Sequence, residues 1–418
     1  MKKSLLALAA LSAIAGAAQA QSSVTVYGLL DVGYVGGNAT ANSNAITTTN
    51  GQTKTNYSQF TQSAEQTSRL GVKGTEDLGG GNQALFTAEF YLYPADQTLS
   101  GNTSSTTNNG AGLVNRQAFV GLHKNGLGMA AVGLQYTPVF NLGAVTDPGQ
   151  NNNMVGNVTY QANTGAAVVD GANGTFNAAY TNRVAQSLYA KSDSFSGFTG
   201  SVIVTANSKN TSETTSNTGV VTGGNTNATG WGLGADYTLN KLYVGAAYQA
   251  LKQITSANNT AVAGATPWIG AQAGGATAGT AIAATSAMDV QDNQSLVAAT
   301  YDFGILKAYG QWVNRKISST ANSGYYLKRQ AEQIGVRGYF TPSIEGWASA
   351  GLGRYTAFGT NNPTANFNAW QLGSNYWLSK RTNLYAIYGQ QINSTAAVGS
   401  YTGSASANNY ALGLRHTF

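Results

Sequence analysis

The sequence predicts an all-β protein: one closed antiparallel transmembrane β-barrel of about sixteen strands, with short periplasmic turns and long extracellular loops. Three observations lead to this prediction. Apolar and polar residues alternate with a period of two, and short connections alternate with long ones along the chain. In addition, no stretch after residue 20 approaches the ~20 apolar residues that a membrane-spanning helix needs.

The alternation defines the strands. In residues 229–237, for example, Trp231, Leu233 and Tyr237 share one parity, whereas glycines and Asp236 occupy the other. This is the pattern of a strand with one apolar and one polar face. Segments of this kind predict strands at 23–36, 66–75, 83–93, 114–122, 128–138, 181–190, 198–206, 229–237, 241–250, 294–302, 306–316, 329–340, 345–356, 367–378, 382–392 and 409–418.

The connections between these strands follow a rhythm. Short ones, such as 238–240, 303–305 and 379–381, alternate with long ones rich in Asn, Thr, Ser and Gly. Short turns at one end and long loops at the other are typical of outer-membrane barrels, and an even strand number puts both chain ends on the same side. A soluble β-sandwich would not need this rhythm, and a β-helix would show a short fixed repeat, which the sequence lacks.

The composition narrows the function classes. Charged residues make up only 9% of the chain, against about 25% in typical soluble domains, and the mean hydropathy is −0.17. There is no cysteine, which excludes disulfides, thiolate metal sites and cysteine nucleophiles. The formal net charge of +6 is spread without a basic cluster, so nucleic-acid binding is not expected.

The N-terminus predicts export. A basic start at Lys2 and Lys3 is followed by a small-apolar run that ends in the A-x-A site 18–20. This pattern is typical of a cleaved signal peptide spanning residues 1–20, and the run is too short for a membrane anchor. We therefore expect the barrel domain to occupy residues 21–418.

The C-terminus predicts a strand that ends flush with the barrel. Its outward parity is apolar, and its last residue is aromatic. A barrel in lipid must pair its last strand with its first, because an open edge would leave backbone groups without partners. We expect the lipid-facing residues of this strand to be Tyr410, Leu412, Leu414 and Phe418.

Several motifs resemble those of the general trimeric porins of Gram-negative outer membranes, and most closely their betaproteobacterial branch. The matching stretches follow the family's order over the mature chain, at 23–28, 68–79, 115–122, 194–198, 379–385 and 414–418. The resemblance implies a homotrimer in outer-membrane lipid that passes ions and small hydrophilic solutes by diffusion. It also implies that loop 139–180 folds into the lumen, and that Phe418 with its strand is the signal for the barrel-assembly machinery. No catalytic residue, metal or cofactor is expected.

The predicted lumen residues are charged. Alternation directs Arg69, Lys73 and Glu89 inward, because burying an arginine against lipid near the midplane would cost about 2–4 kcal/mol. The resemblance assigns Arg69 and Arg116 to a basic wall at the pore constriction, and Lys73 and Glu89 to further lumen positions. Two more arginines are added by their parity, Arg183 and Arg337.

The third long loop departs from the family pattern. Residues 140–180 contain Asp147 and Asp170 but no Lys or Arg, and Asn151 to Asn153 stand where related porins carry an acidic segment. Because few carboxylates lie opposite the arginines, we expect the local electrostatic field to be positive and the pore to prefer anions weakly. Asp147 is the residue of this loop that we expect at the constriction.

Three other functions are considered. A substrate-specific channel would need an aromatic track, and the inward-parity Tyr27, Tyr243 and Tyr309 do not obviously align. A surface-adhesion role of the long loops has no specific signal. An enzyme is disfavoured, because the chain's two histidines, His123 and His416, fall in a predicted turn and in the last strand, without a catalytic motif.

Overall fold

The computed structural model describes residues 23–45, 49–96, 99, 113–160, 183–215, 221–256, 288–318, 323, 326–357, 364–398 and 401–418. Within these residues the chain forms seventeen strands and one helix. They are β1 (Ser23–Ala45), β2 (Thr49–Gln62), β3 (Arg69–Gly79), β4 (Asn82–Tyr91), β5 (Asn115–Lys124), β6 (Gly128–Tyr136), α1 (Pro138–Thr146), β7 (Arg183–Ser192), β8 (Phe198–Thr215), β9 (Val221–Leu239), β10 (Leu242–Ser256), β11 (Met288–Asp302), β12 (Leu306–Ser318), β13 (Tyr326–Thr341), β14 (Ile344–Ala357), β15 (Thr364–Trp377), β16 (Thr382–Val398) and β17 (Tyr401–Thr417).

The strands form one antiparallel sheet that closes on itself, because β1 pairs with β17. Residues 23–29 of β1 pair with β3, and residues 32–45 pair with β2. β2 and β3 therefore lie end to end in a single position of the barrel. The prediction of a closed barrel of about sixteen strands is confirmed, with one extra strand created by a break in the second.

The two faces of the sheet differ as alternation predicts. In β17, Ala411 and Arg415 are only 1% and 7% exposed on the inner face. Leu412 and Leu414 alternate with them on the outer face, 58% and 38% exposed. Apolar side chains that would be costly in water are well placed in a bilayer, so the outer face is the lipid-facing face.

The C-terminal residue completes the seam of the barrel. Phe418 and Gly28 exchange two backbone hydrogen bonds, both at 3.1 Å. A Cβ atom on Gly28 would collide with the ring of Phe418, so only glycine leaves room for the ring at this point of β1. No backbone edge is therefore left open to lipid at the last residue.

Several strands extend further than the sequence predicts. The predicted loop 37–65 contains the end of β1 and all of β2, and β8 and β9 continue as a paired hairpin well into the predicted loop 207–228. Outside the bilayer a hairpin is polar on both faces, so backbone pairing continues there without the apolar alternation that identifies a strand.

The predicted signal peptide, residues 1–20, lies outside the described residues, as do residues 161–182 of the predicted lumen loop. Among the described residues, no helix has the length and apolarity of a membrane span.

Candidate pore constriction

The connection after β6 turns into the barrel. We call residues 137–160 the inner segment. Its helix α1 begins at Pro138, and the side chain of Thr137 caps it by accepting a hydrogen bond from the backbone N–H of Phe140 at 3.1 Å. Threonine at the N-cap and proline in the first turn both favour a helix that begins here.

The helix packs on the inner faces of β8 to β12. Val139 and Leu142 lie in an apolar cluster with Leu296 of β11, and all three are buried. The Nε2 of Gln311 donates to the carbonyl of Gly143 at 3.1 Å, which ties the helix to β12. This part of the lumen is therefore filled and dry.

After the helix, Asp147 anchors the inner segment to β13. Its carboxylate accepts hydrogen bonds from Nε2 of Gln333 at 2.6 Å and from the backbone N–H of Asn151 at 2.8 Å. Burial raises the pKa of Asp147 to about 6, although these hydrogen bonds and nearby Arg337 act in the opposite direction. The structure thus places the carboxylate of Asp147 between the inner segment and the barrel wall, in contact with Gln333.

Arg337 belongs to the same anchor. Its guanidinium forms a bidentate ion pair with Glu345, with both distances at 2.6 Å, and donates to the carbonyl of Pro148 at 2.7 Å. The charge of Arg337 is therefore matched by a carboxylate, and its geometry fixes the backbone of the inner segment.

Amide side chains hold the rest of the inner segment. Asn152 Nδ2 donates to Oε1 of Gln371 at 2.9 Å, and Nε2 of Gln371 donates to the carbonyl of Val155 at 2.9 Å. The N–H of Val155 donates to Oδ1 of Asn409 at 3.1 Å. The segment therefore crosses β15 and β17 through neutral hydrogen bonds.

The middle of the inner segment meets the break between β2 and β3. Nδ2 of Asn153 donates to the carbonyl of Ser63 at 2.7 Å. The carboxylate of Asp31 in β1 accepts from the backbone N–H groups of Glu65 and Gln66, at 2.9 and 2.7 Å. Asp31 thus satisfies donors that the interrupted strand would otherwise leave without partners.

The opposite arc of the barrel presents cations and aromatic rings. We call this group the arginine wall; it lies on β1 and β3 to β7 and consists of Tyr27, Arg69, Glu89, Tyr91, Arg116, Tyr136 and Arg183. Nε of Arg116 lies 2.8 Å from Oε1 of Glu89, and its Nη2 donates to the hydroxyl of Tyr136 at 2.8 Å. The hydroxyl of Tyr27 donates to the other oxygen of Glu89 at 3.1 Å.

The remaining arginines of the wall lie close to this pair. Arg183 donates to the hydroxyl of Tyr91, and its guanidinium lies 5.3 Å from that ring's centroid, on which Arg116 also stacks at 4.7 Å. Arg69 donates to Oε1 of Gln66 at 3.2 Å and is near enough to Arg116 and Glu89 for electrostatic interaction. The wall therefore holds three arginines and one carboxylate, with Arg69 and Arg116 acting on Glu89 and Arg183 packed on Tyr91.

A β-bulge orients Arg116, and a second bulge lies beside Arg183. Arg116 is the extra residue where the pairing of β4 with β5 shifts between Glu89 and Phe90. It shares the parity of Val120 and Leu122, which are more than 60% exposed on the outer face, yet its side chain is buried inside. A similar shift between β6 and β7 lies at residues 185–186, just after Arg183. Bulges re-aim side chains in this way.

The predicted site residues therefore fall into three places. Arg69, Glu89, Arg116 and Arg183 come together in the arginine wall. Lys73 is exposed on the same strand as Arg69, four residues nearer the periplasmic turn, with Nζ 5.3 Å from the ring of Tyr27. Asp147 and Arg337 lie on the other arc, beneath the inner segment. The tyrosines of the wall and the amides Gln333 and Gln371 were not predicted.

Comparison with known proteins agrees with this architecture. The sequence profile of a Gram-negative porin family matches residues 7–396. An outer membrane porin protein of Bordetella pertussis is 28% identical over the whole of both chains. Outer membrane porin protein 32 of Delftia acidovorans is 47% identical over 103 residues, which cover 24% of this chain and 25% of that protein.

Solved structures share the fold. The anion-selective porin from Comamonas acidovorans superposes with a TM-score of 0.59 at 20% identity, over 95% of this chain and all of that one. The trimer form of OmpT, an outer membrane protein of Vibrio cholerae, gives a TM-score of 0.59 at 14% identity, over 95% of this chain and 99% of that one. The family match covers most of the sequence, and the chain therefore belongs to the Gram-negative porins, as a β-barrel of the outer membrane.

Proposed function

We propose that this porin passes small hydrophilic solutes and ions by diffusion, with a weak preference for anions. The observation that carries the proposal is the arginine wall, where Arg69 and Arg116 interact with the carboxylate of Glu89 and Arg183 adds a third cation on the ring of Tyr91. The described part of the facing segment carries one acidic residue, Asp147, and its carboxylate is turned away to Gln333. The net field between the two is positive.

The preference is weak for a physical reason. At physiological ionic strength, salt screens charges over about 8 Å, so ions that pass further from the wall feel little of its field. The anion-selective porin of Comamonas acidovorans has the same fold, which makes this selectivity compatible with the architecture. Because the sequence identity is low, no residue role is transferred from that porin to this chain.

The proposal is tested in planar bilayers by reversal potentials in a potassium chloride gradient. We expect chloride to be more permeant than potassium in the native protein. Arg116→Glu should lower the chloride/potassium permeability ratio, because it replaces a cation of the wall with an anion. Cation selectivity of the native protein, or an unchanged ratio in the variant, would contradict the proposed constriction.

We expect neither of the chain's two histidines to be catalytic. Nε2 of His123 lies 3.0 Å from the carboxylate of Asp193 at the periplasmic rim, where this pairing lowers the pKa of the exposed aspartate. His416 interacts with the hydroxyl of Thr382 on the outer face. The ring of His416 is on the outer face, and that of His123 is engaged by Asp193 at the rim, away from the arginine wall. Incubation with phospholipid or peptide substrates should therefore yield no products.

We further propose a homotrimer whose chain is exported by a signal peptide cleaved after Ala20 and inserted by recognition of Phe418. The trimer form of the structurally similar OmpT supports the oligomeric state. N-terminal sequencing and the mass of the detergent-solubilised assembly test the first two statements. Phe418→Ser should lower insertion into the membrane without changing synthesis.

A further inference from the structure

The side chain of Tyr91 lies at the centre of the arginine wall. It is the last residue of β4, it faces inward with Glu89, and only 2% of its surface is exposed. Its backbone N–H donates to the carbonyl of Val114 at 2.9 Å, which fixes the end of the strand. Its ring stacks on that of Tyr93, with centroids 6.2 Å apart and planes at 15°. The position of the Tyr91 ring is therefore well defined.

All three arginines of the wall lie beside this residue. Arg69 is its direct partner across β3 and β4. The guanidinium carbon of Arg116 lies 4.7 Å from the centroid of the Tyr91 ring, and that of Arg183 lies 5.3 Å from it. Arg183 also donates to the hydroxyl of Tyr91 and, at 3.3 Å, to the backbone carbonyl of Arg116. Three like charges are thus held next to one aromatic side chain.

Two of these cations are shielded from the lumen. Arg116 is 4% exposed and Arg183 is 5% exposed, although both belong to the wall of an aqueous pore. A buried guanidinium needs compensation for the water that it has lost. Glu89 compensates Arg116 at 2.8 Å, and the negative face of an aromatic ring attracts a nearby cation. The ring of Tyr91 therefore stabilises two recessed arginines that repel each other.

An aromatic ring differs from a carboxylate in a way that matters for selectivity. A second carboxylate at the position of Tyr91 would also hold the arginines, but it would cancel one of the charges that attract anions. The quadrupole of a ring attracts cations and carries no net charge. The wall can therefore keep its excess of cations while Arg116 and Arg183 remain outside the path of the solutes.

We propose that Tyr91 is a positioning residue for ion selectivity, which holds Arg116 and Arg183 recessed in the barrel wall so that they attract anions without narrowing the pore. Tyr136 supports the same arrangement, since its hydroxyl accepts from Arg116 at 2.8 Å and its ring lies 5.3 Å from Arg183. The inference rests on the proposed function, because it requires selectivity to come from these arginines.

The test compares Tyr91→Leu with Tyr91→Phe in planar bilayers, by reversal potentials in a potassium chloride gradient and by single-channel conductance. Leucine removes the ring, so both guanidinium groups should hydrate and extend into the lumen. The chloride/potassium permeability ratio should then rise about twofold, because two unit charges come nearer to the passing ions, and the conductance should fall. Phenylalanine keeps the ring and removes only the hydroxyl that Arg183 contacts, so it should raise the ratio less.

A second comparison separates positioning from a general effect on the fold. In a background with Arg116→Gln and Arg183→Gln, Tyr91→Leu should leave the permeability ratio unchanged, because the two arginines that the ring holds are absent. The matched control is Tyr309→Leu, which removes an inward, half-buried tyrosine from β12 on the opposite arc and should keep the native ratio. Discrete channel steps show that each variant has folded.

A failure of this inference differs from a failure of the proposed function. Cation selectivity of the native protein would contradict the proposed function. If the native protein prefers anions and Tyr91→Leu leaves the ratio unchanged or lower, only the role of Tyr91 is overturned. It is also overturned if Tyr91→Leu acts equally with and without the two arginines, or if Tyr309→Leu has the same effect. Should the leucine variant form no channels, a ratio in Tyr91→Phe no higher than the native one overturns the proposal.

Discussion

The two arcs of the barrel interior use polar side chains for different purposes. On β8 to β17 they hold the inner segment: Asp147 meets Gln333, and Arg337 pairs with Glu345 in a bidentate contact. On β3 to β7 the arginines gather around Glu89 and around tyrosine rings. Charges are thus balanced where they build the constriction and remain in excess where solutes pass. We therefore expect selectivity to depend on the second arc and pore size to depend on the first.

The largest expected effect comes from breaking the anchor of the inner segment. Arg337→Ala removes one partner of a buried ion pair, which typically costs about 3–5 kcal/mol because the remaining charge is uncompensated. It also removes the donor to Pro148, so the segment should leave its position and single-channel conductance should rise. Lys307→Ala removes the half-buried lysine directly opposite Arg337 on β12, which has no contact with the inner segment among the described residues, and is the control. Unchanged conductance in Arg337→Ala would mean that the segment does not set the pore size.

A second experiment tests the effect of the arginine wall on ion selectivity. Glu89→Gln removes its carboxylate and Arg69→Gln removes one cation, so the chloride/potassium permeability ratio should rise in the first variant and fall in the second. A unit charge at about 8 Å in water changes an ion's energy by about 0.5 kcal/mol, which corresponds to roughly twofold in each direction. Shifts in the same direction would show that the variants act by distorting the pore.

The anchor should also respond to pH. The pKa of Asp147 is about 6 when the inner segment is bound, against an ordinary value of 3.8. Because the bound state has the higher pKa, the contribution of this group is full below about pH 4 and is lost as the pH rises through 6. Hydrogen-exchange protection of residues 147–157 should therefore fall over this range. Asp147→Asn should flatten the profile; an equally steep profile in that variant would assign the pH dependence to another group.

The smallest effect is expected at Lys73. Its side chain is exposed and lies four residues from Arg69 along β3, in the wider water-filled part of the lumen. Screening there is strong, so Lys73→Gln should change the permeability ratio far less than Arg69→Gln does. Reversal potentials measured at low and high salt check this. An effect equal to that of Arg69→Gln would extend the arginine wall towards the periplasm.

The sequence was sufficient to predict the barrel, because alternation is a local property. Lipid on one face and water on the other impose it on every strand. The same rule orients Arg69 and Glu89 inward. It could not orient Arg116, whose position depends on a bulge that leaves no mark on the polarity pattern. Parity alone predicts that Arg116 faces lipid. The family resemblance, in contrast, assigns it to the lumen.

The inner segment was the least predictable part. Asn151 to Asn153 suggested only a loss of acidic residues opposite the arginines. In the structure, Asn152 and Asn153 bind Gln371 and the backbone at Ser63. These partners lie 219 and 90 residues away in the chain, and no local pattern relates residues so distant. Asp147 was interpreted as facing the pore for the same reason, because its contact with Gln333 is visible only in three dimensions.

The hydrogen bonds between Phe418 and Gly28 extend a seam that β17 already forms with β1 along residues 401–417. Because β1 and β17 lie far apart in the sequence, the ring closes only after both strands have been exported. A purification tag fused after Phe418 would interfere with these two hydrogen bonds, so a tag is better inserted in an extracellular loop.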